Sequence, residues 1–117
     1  MTSINDNDTL YLPYRLIARG DGLQIEFRNN KLEKECCDAH VAEKKYSAEM
    51  AERIQYRIDQ IRSAQSVGMM VQTKMGRCHK LKGDRKEQYA VDLTNSYRLV
   101  FEVKNDVACI VAIVDYH

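Results

Sequence analysis

Three histidines, His40, His79 and His117, are the side chains of this sequence that exchange protons near neutral pH, and two of them flank the expected strands that hold the basic residues. His79 sits in Cys78-His79-Lys80-Leu81-Lys82-Gly83-Asp84-Arg85, an imidazole among cations, followed by a glycine that lets backbone approach a ligand. His117 follows Asp115 and Tyr116 at the end of the chain. Cutting RNA without a metal needs a base for the ribose 2′-hydroxyl proton, cations on the non-bridging phosphate oxygens and an acid for the leaving oxygen. His79 or His117 could exchange the protons, while Lys80, Lys82, Arg85 and Arg98 could neutralise the developing charge. Tyr89 or Tyr97 could stack on an unpaired base.

The charge distribution agrees with a polyanionic partner. Net charge is only +1, from 18 Lys and Arg against 17 Asp and Glu. Residues 1–73 carry 10 basic against 11 acidic residues, whereas residues 74–98 carry 7 (Lys74, Arg77, Lys80, Lys82, Arg85, Lys86, Arg98) against 3 (Asp84, Glu87, Asp92). The excess is therefore one local patch rather than a general coat. Four cysteines, Cys36, Cys37, Cys78 and Cys109, lack the spacing of a zinc site or a disulfide framework and are expected as reduced, buried thiols.

With 117 residues the chain suits one domain with a single core. No run of about 18 apolar residues offers a membrane span. Met1 to Asp8 is polar and acidic, unlike a secretory signal, so the cytoplasm is the expected location.

These side chains must be held by a mixture of helices and strands. Thr9 to Ala18 is apolar enough for a strand or an arm, with Pro13 favouring an edge, and Arg19-Gly20-Asp21-Gly22 suggests a turn. A strand is expected over Leu23 to Phe27, then a helix capped by Asn29 or Asn30 and running to about Asp38. A polar connector follows at Ala42 to Tyr46. Ser47 caps a long helix whose stripe of Ala51, Ile54, Ile58 and Ile61 is core, and which is expected to stop at Gly68. Met69 to Arg77 shows no period and suggests an exposed loop. The period then becomes two, with strands around Tyr89-Val91-Leu93, Leu99-Phe101-Val103 and Val107 to Val114, the last central in the sheet. The expected class is α+β.

The order of these motifs is itself informative: Phe27-Arg28-Asn29-Asn30-Lys31-Leu32-Glu33-Lys34, then a helix with Arg53 and Ile58, then Leu81-Lys82-Gly83-Asp84-Arg85, Tyr97-Arg98-Leu99 with Phe101, and Val114-Asp115-Tyr116-His117. Over residues 23–117 the chain resembles the HigB-like toxins of the RelE/ParE superfamily. That resemblance implies a small antiparallel sheet with two N-terminal helices on one face, preceded here by an extension at residues 1–22. It implies a toxin of a bacterial toxin-antitoxin pair that enters the ribosome and cuts messenger RNA without metal or cofactor. The implied partners are the ribosome, the message and a helix-turn-helix antitoxin of the HigA kind.

On the resemblance, His79, Lys82, Arg98, Asp115 and His117 carry catalysis, Arg98 at the scissile phosphate. Lys74, Arg77, Lys80, Arg85, Tyr89, Tyr97 and Tyr116 bind RNA. Two other classes remain open: a poison of DNA gyrase like the ParE branch, needing no acid or base, and a degenerate member serving as an RNA-binding or interaction module.

Overall fold

A computed structural model describes residues 22–83 and 87–116. The element order is β1 (Gln24–Phe27), α1 (Asn30–Cys37), α2 (Ala39–Lys45), α3 (Ala48–Ser63), α4 (Val67–Gln72), a 3-10 turn (Met75–Arg77), β2 (His79–Lys80), β3 (Gln88–Asp92), β4 (Tyr97–Lys104) and β5 (Val107–Asp115). The α+β class is as expected. The extension expected at 1–22, apart from Gly22, lies outside the described residues, as do Arg85 and His117. Among the described residues no helix is long and apolar enough to cross a membrane.

Side chains at the helix starts set the boundaries. Asn29 accepts from the Leu32 amide at 2.8 Å and Ser47 from the Met50 amide at 3.0 Å, each satisfying a donor that the first helical turn leaves open. Two boundaries differ from the sequence reading. The connector expected at Ala42–Tyr46 belongs largely to α2, which Asp38 caps through the His40 amide at 2.9 Å. Only Ala42 of that helix is buried, so it leaves no stripe for periodicity to find. The long helix ends at Ser63 rather than Gly68, because Ser66 starts a new helix by accepting from the Met69 amide at 3.1 Å. The segment expected as an exposed loop from Met69 therefore includes the end of α4, with Met70 in the core.

The sheet order is β1-β5-β4-β3-β2. The three strands expected after residue 88 run antiparallel as β3 to β5, and β2, which the sequence reading did not assign, extends them at the edge; β1, however, pairs with β5 in parallel, Gln24 beside Val107 and Phe27 beside Ile110, so the sheet is mixed. A crossover through the helices returns the chain to the sheet in a direction that strand composition alone does not encode. Strand β5 lies between β1 and β4, the internal position that its apolar run predicts.

The helices occupy one face. Ala51, Ile54, Ile58 and Ile61 pack with Val91, Leu93, Leu99, Phe101, Ala108 and Ile110 in the main core. Gly22 is required by close approach: a Cβ there would lie 1.6 Å from the Arg62 carbonyl oxygen at the end of α3, while the rest of the turn expected at Arg19–Gly22 lies outside the described residues. The opposite face carries a smaller apolar cluster of Ala90, Val100 and Val111. Val111 is the extra residue of a bulge, since Val100 pairs with Ala112 and Phe101 with Ile110.

Candidate functional site

Period-two alternation decides which side chains can meet. On β4, Tyr97, Leu99, Phe101 and Val103 face the helices, which puts Arg98 and Val100 on the other face. Register then sets Asp92 of β3 directly opposite Arg98, and Ala90 opposite both Val100 and His79.

The open face thus holds a charged row next to an apolar one. Arg98 Nε lies 3.2 Å from Asp92 Oδ1, and Arg77 Nε lies 3.1 Å from Asp92 Oδ2. Oδ1 is wholly buried, and its approach to Arg98 is a charge contact without an aligned hydrogen bond. The Arg98 guanidinium also covers the Tyr116 ring, 4.1 Å from its centroid, a cation–π contact that leaves Tyr116 43% exposed. Tyr116 is itself tied back, its amide donating to the Ser96 carbonyl at 2.6 Å.

Arg77 reaches this row from a turn of unusual backbone. Lys74 (φ 58°), Gly76 (φ 60°) and Arg77 (φ 55°) are all left-handed, a conformation costly for residues with a Cβ. Below the turn, Arg57 of α3 donates through Nε to the Asp92 carbonyl at 2.6 Å and through Nη1 to Gln60 Oε1 at 2.8 Å. Its guanidinium lies under Gly76, where a Cβ would come within 3.1 Å of it.

His79 follows on the same face as Ala90. Its Nδ1 is 3.1 Å from the Arg77 carbonyl oxygen, which can only accept, so Nδ1 carries the proton and Nε2 keeps a lone pair in the neutral ring. Two strand spacings across and two residues along put its backbone on the order of 12 Å from that of Arg98.

The expected site residues divide among three places. Arg77, His79, Arg98 and Tyr116 share the open face. Lys80 and Lys82 lie exposed along β2 and just beyond it, and Lys74 lies on the left-handed turn. Tyr89, Tyr97 and Asp115 point toward the helix side. Tyr97 pairs with Asp115 across the strands and packs its ring edge-on against Tyr46 at 5.3 Å, while Tyr89 stacks on Phe101 at 6.0 Å. Both rings thus take part in packing at the core margin and stay half-buried. Asp115 is exposed at the end of β5.

The residues that sequence reasoning missed are Asp92 and Arg57. A signal existed for Asp92, because Tyr89, Val91 and Leu93 point inward and so turn it outward, toward Arg98.

None of the four cysteines forms a disulfide; Cys36 and Cys78 are buried as expected, whereas Cys37 and Cys109 are half-buried. Burial pushes the Cys78 thiol up to about 11 and raises those of Cys36 and Cys109 as well.

Comparison with known proteins shows the fold. No family model matches the chain, and no curated protein matches it in sequence. Among solved structures, the YoeB-YefM complex from Staphylococcus aureus and the YoeB dimer from the same organism each match with a TM-score of 0.56 and 21% identity, over 81% of this chain and 97% of theirs. A YoeB/ParE toxin from Agrobacterium tumefaciens matches with a TM-score of 0.52 and 15% identity, over 80% of this chain and 98% of that one. The four helices and five-stranded mixed sheet are thus those of YoeB-like toxin folds; nothing in the comparisons singles out the HigB branch.

Proposed function

We propose that this chain is the toxin of a bacterial toxin-antitoxin pair and acts as a ribosome-dependent messenger RNA endonuclease. The observation that supports it most is the convergence of Arg98, Arg77, His79 and Tyr116 on the face of the sheet away from the helices. Two guanidinium groups near a histidine with an available Nε2 match what 2′-hydroxyl attack on phosphorus requires.

In this reading His79 Nε2 accepts the 2′-hydroxyl proton and the 2′-oxygen attacks phosphorus. The bond to the 5′-oxygen breaks, leaving a 2′,3′-cyclic phosphate and a 5′-hydroxyl. Arg98 and Arg77 bind the non-bridging oxygens as charge builds on them. The 5′-oxygen takes its proton from a second acid, for which His117 is the candidate. Tyr116 offers its outer face to an adjoining base, since Arg98 covers the inner one. Lys74, Lys80, Lys82 and Arg85 draw in the RNA backbone. An antitoxin of the helix-turn-helix kind would silence the chain by covering this face, and the YoeB relative from Staphylococcus aureus is itself found in a heterotetrameric toxin-antitoxin complex.

Expression in bacteria with mapping of transcript ends tests this reading. Growth arrest with cuts at fixed positions in codons is expected. Arrest with intact messages would overturn it, and in that case a supercoiling assay with purified gyrase decides for the ParE-like mode.

A further inference from the structure

Three arginines from three parts of the chain meet at one residue. Asp92 receives Arg77 and Arg98 on its two carboxylate oxygens and Arg57 on its backbone carbonyl. Without the carboxylate, two guanidinium groups facing one small site would repel and splay. With it between them, both are held, and the trio of side chains keeps a net positive charge for an anion. Each arm meets the carboxylate through Nε, so its terminal nitrogens are the ends left to grip a ligand. The buried Oδ1 lacks an aligned donor, and Arg77 stands on a left-handed backbone, two departures from low energy at a single point.

We infer that Asp92 is a positioning residue that holds Arg77 and Arg98 as the two arms of a clamp on one RNA phosphodiester. The inference rests on the nuclease reading above and adds to it the second arm and the group that sets the spacing. Arg57 completes the device from behind, fixing the Asp92 backbone to α3 and filling the space beneath Gly76.

The test is Asp92→Asn, which keeps the shape and loses the charge, assayed on programmed ribosomes with the full chain. A fall in kcat of about 10- to 100-fold is expected, with KM changed by less than about threefold, because misaligned arms fail chiefly in the transition state. Arg77→Ala, at a side chain 80% exposed and so removable without disturbing the core, should lower kcat/KM by about tenfold. A second readout is independent of cleavage. Addition of a dinucleotide with a 2′-deoxyribose on the 5′ side should shift the side-chain Nε resonances of both Arg77 and Arg98, and Asp92→Asn should abolish the joint shift.

If the unsubstituted chain cuts nothing while the dinucleotide still moves both resonances, the clamp stands and the nuclease reading falls. If the chain cuts RNA and only Arg98 moves, the clamp is overturned. It is equally overturned if Asp92→Asn lowers thermal stability while kcat per folded molecule is unchanged, or if it tightens KM and leaves kcat alone.

Discussion

Two carboxylates in this protein each gather basic or hydroxylic partners, and they do so in opposite styles. Glu35 of α1 is buried, its side chain 6% exposed, and accepts from Lys45 Nζ at 2.8 Å and from the Tyr46 hydroxyl at 2.9 Å. One charge meets one charge, both oxygens are satisfied, and the result is a strap between α1 and the end of α2. Lys45 is raised first by its hydrogen bond to Glu35, and Tyr46 first by burial and then by the same carboxylate. Asp92 is more open, at 24%, and faces two cations at 3.1 and 3.2 Å with imperfect alignment. A balanced, aligned pair has nothing left to offer a ligand. A cationic excess around one carboxylate does, and the contrast separates a structural ion pair from a site more sharply than counting charges.

The largest effect that sharpens this contrast is expected at Arg98. Arg98→Ala should lower cleavage by roughly 10² to 10³, the usual consequence of losing one donor to a developing oxyanion, while thermal unfolding shifts little. Cleavage assays paired with melting curves check both halves; unchanged growth arrest by this variant would remove Arg98 from the site. Glu35→Ala should do the reverse. It leaves a Tyr46 hydroxyl without its acceptor and costs about 2 kcal/mol of stability in denaturant titrations, with cleavage per folded molecule preserved.

Cys78 lies between the two regimes, on the segment that carries Arg77 and His79 but turned into the core. Its folded thiol ionises near 11 against an ordinary 9.0, so the fold favours the protonated form. That contribution is intact below pH 9 and lost as pH rises from 9 through 11, at about 1 kcal/mol per pH unit. Alkaline stability curves of Cys78→Ala should therefore be flatter across this window than those of the unsubstituted chain. The smallest effect is expected for Tyr46→Phe. Removing the hydroxyl from Glu35 should cost about 1 kcal/mol or less and leave cleavage unchanged, since the ring still packs against Tyr97.

Much of this was legible in the amino-acid order. The isoleucine stripe of α3 announces itself because 3.6 residues per turn puts Ile54, Ile58 and Ile61 on one side. Strict alternation in β4 already assigns Tyr97 to the face of Leu99 and Phe101 and Arg98 to the other. Applied consistently, the same parity puts Tyr97 on the face opposite to Arg98. The opposition of Asp92 and Arg98 also follows once the turn Thr94-Asn95-Ser96 is taken as the centre of the hairpin. The missed features depend on distant neighbours. Helix α2 shows one inward residue, Gly68 sits in a helix because Ser66 restarts one, and the direction of β1 depends on a partner some eighty positions later. Arg57 gave no local sign of its place beneath the site, since beside its helix neighbour Gln60 it meets a strand carbonyl 35 residues away and the underside of a glycine turn.

The parallel pairing of β1 on β5 has a consequence for how the proposed site moves. It covers the outer side of β5 over Val107–Ile110 and leaves β4, which carries Arg98, inside the sheet with a bonded neighbour on each flank. His79 and Arg77 belong instead to the opposite border, where β2 contributes two residues and, among the described residues, no further strand pairs beyond it. Local opening favours short, singly bonded edges over doubly bonded interior strands. On the nuclease reading, the proposed site divides into a firm anvil on β4 and a yielding jaw on the border strand, and an incoming nucleotide would be gripped by motion of that strand toward a wall that stays in place.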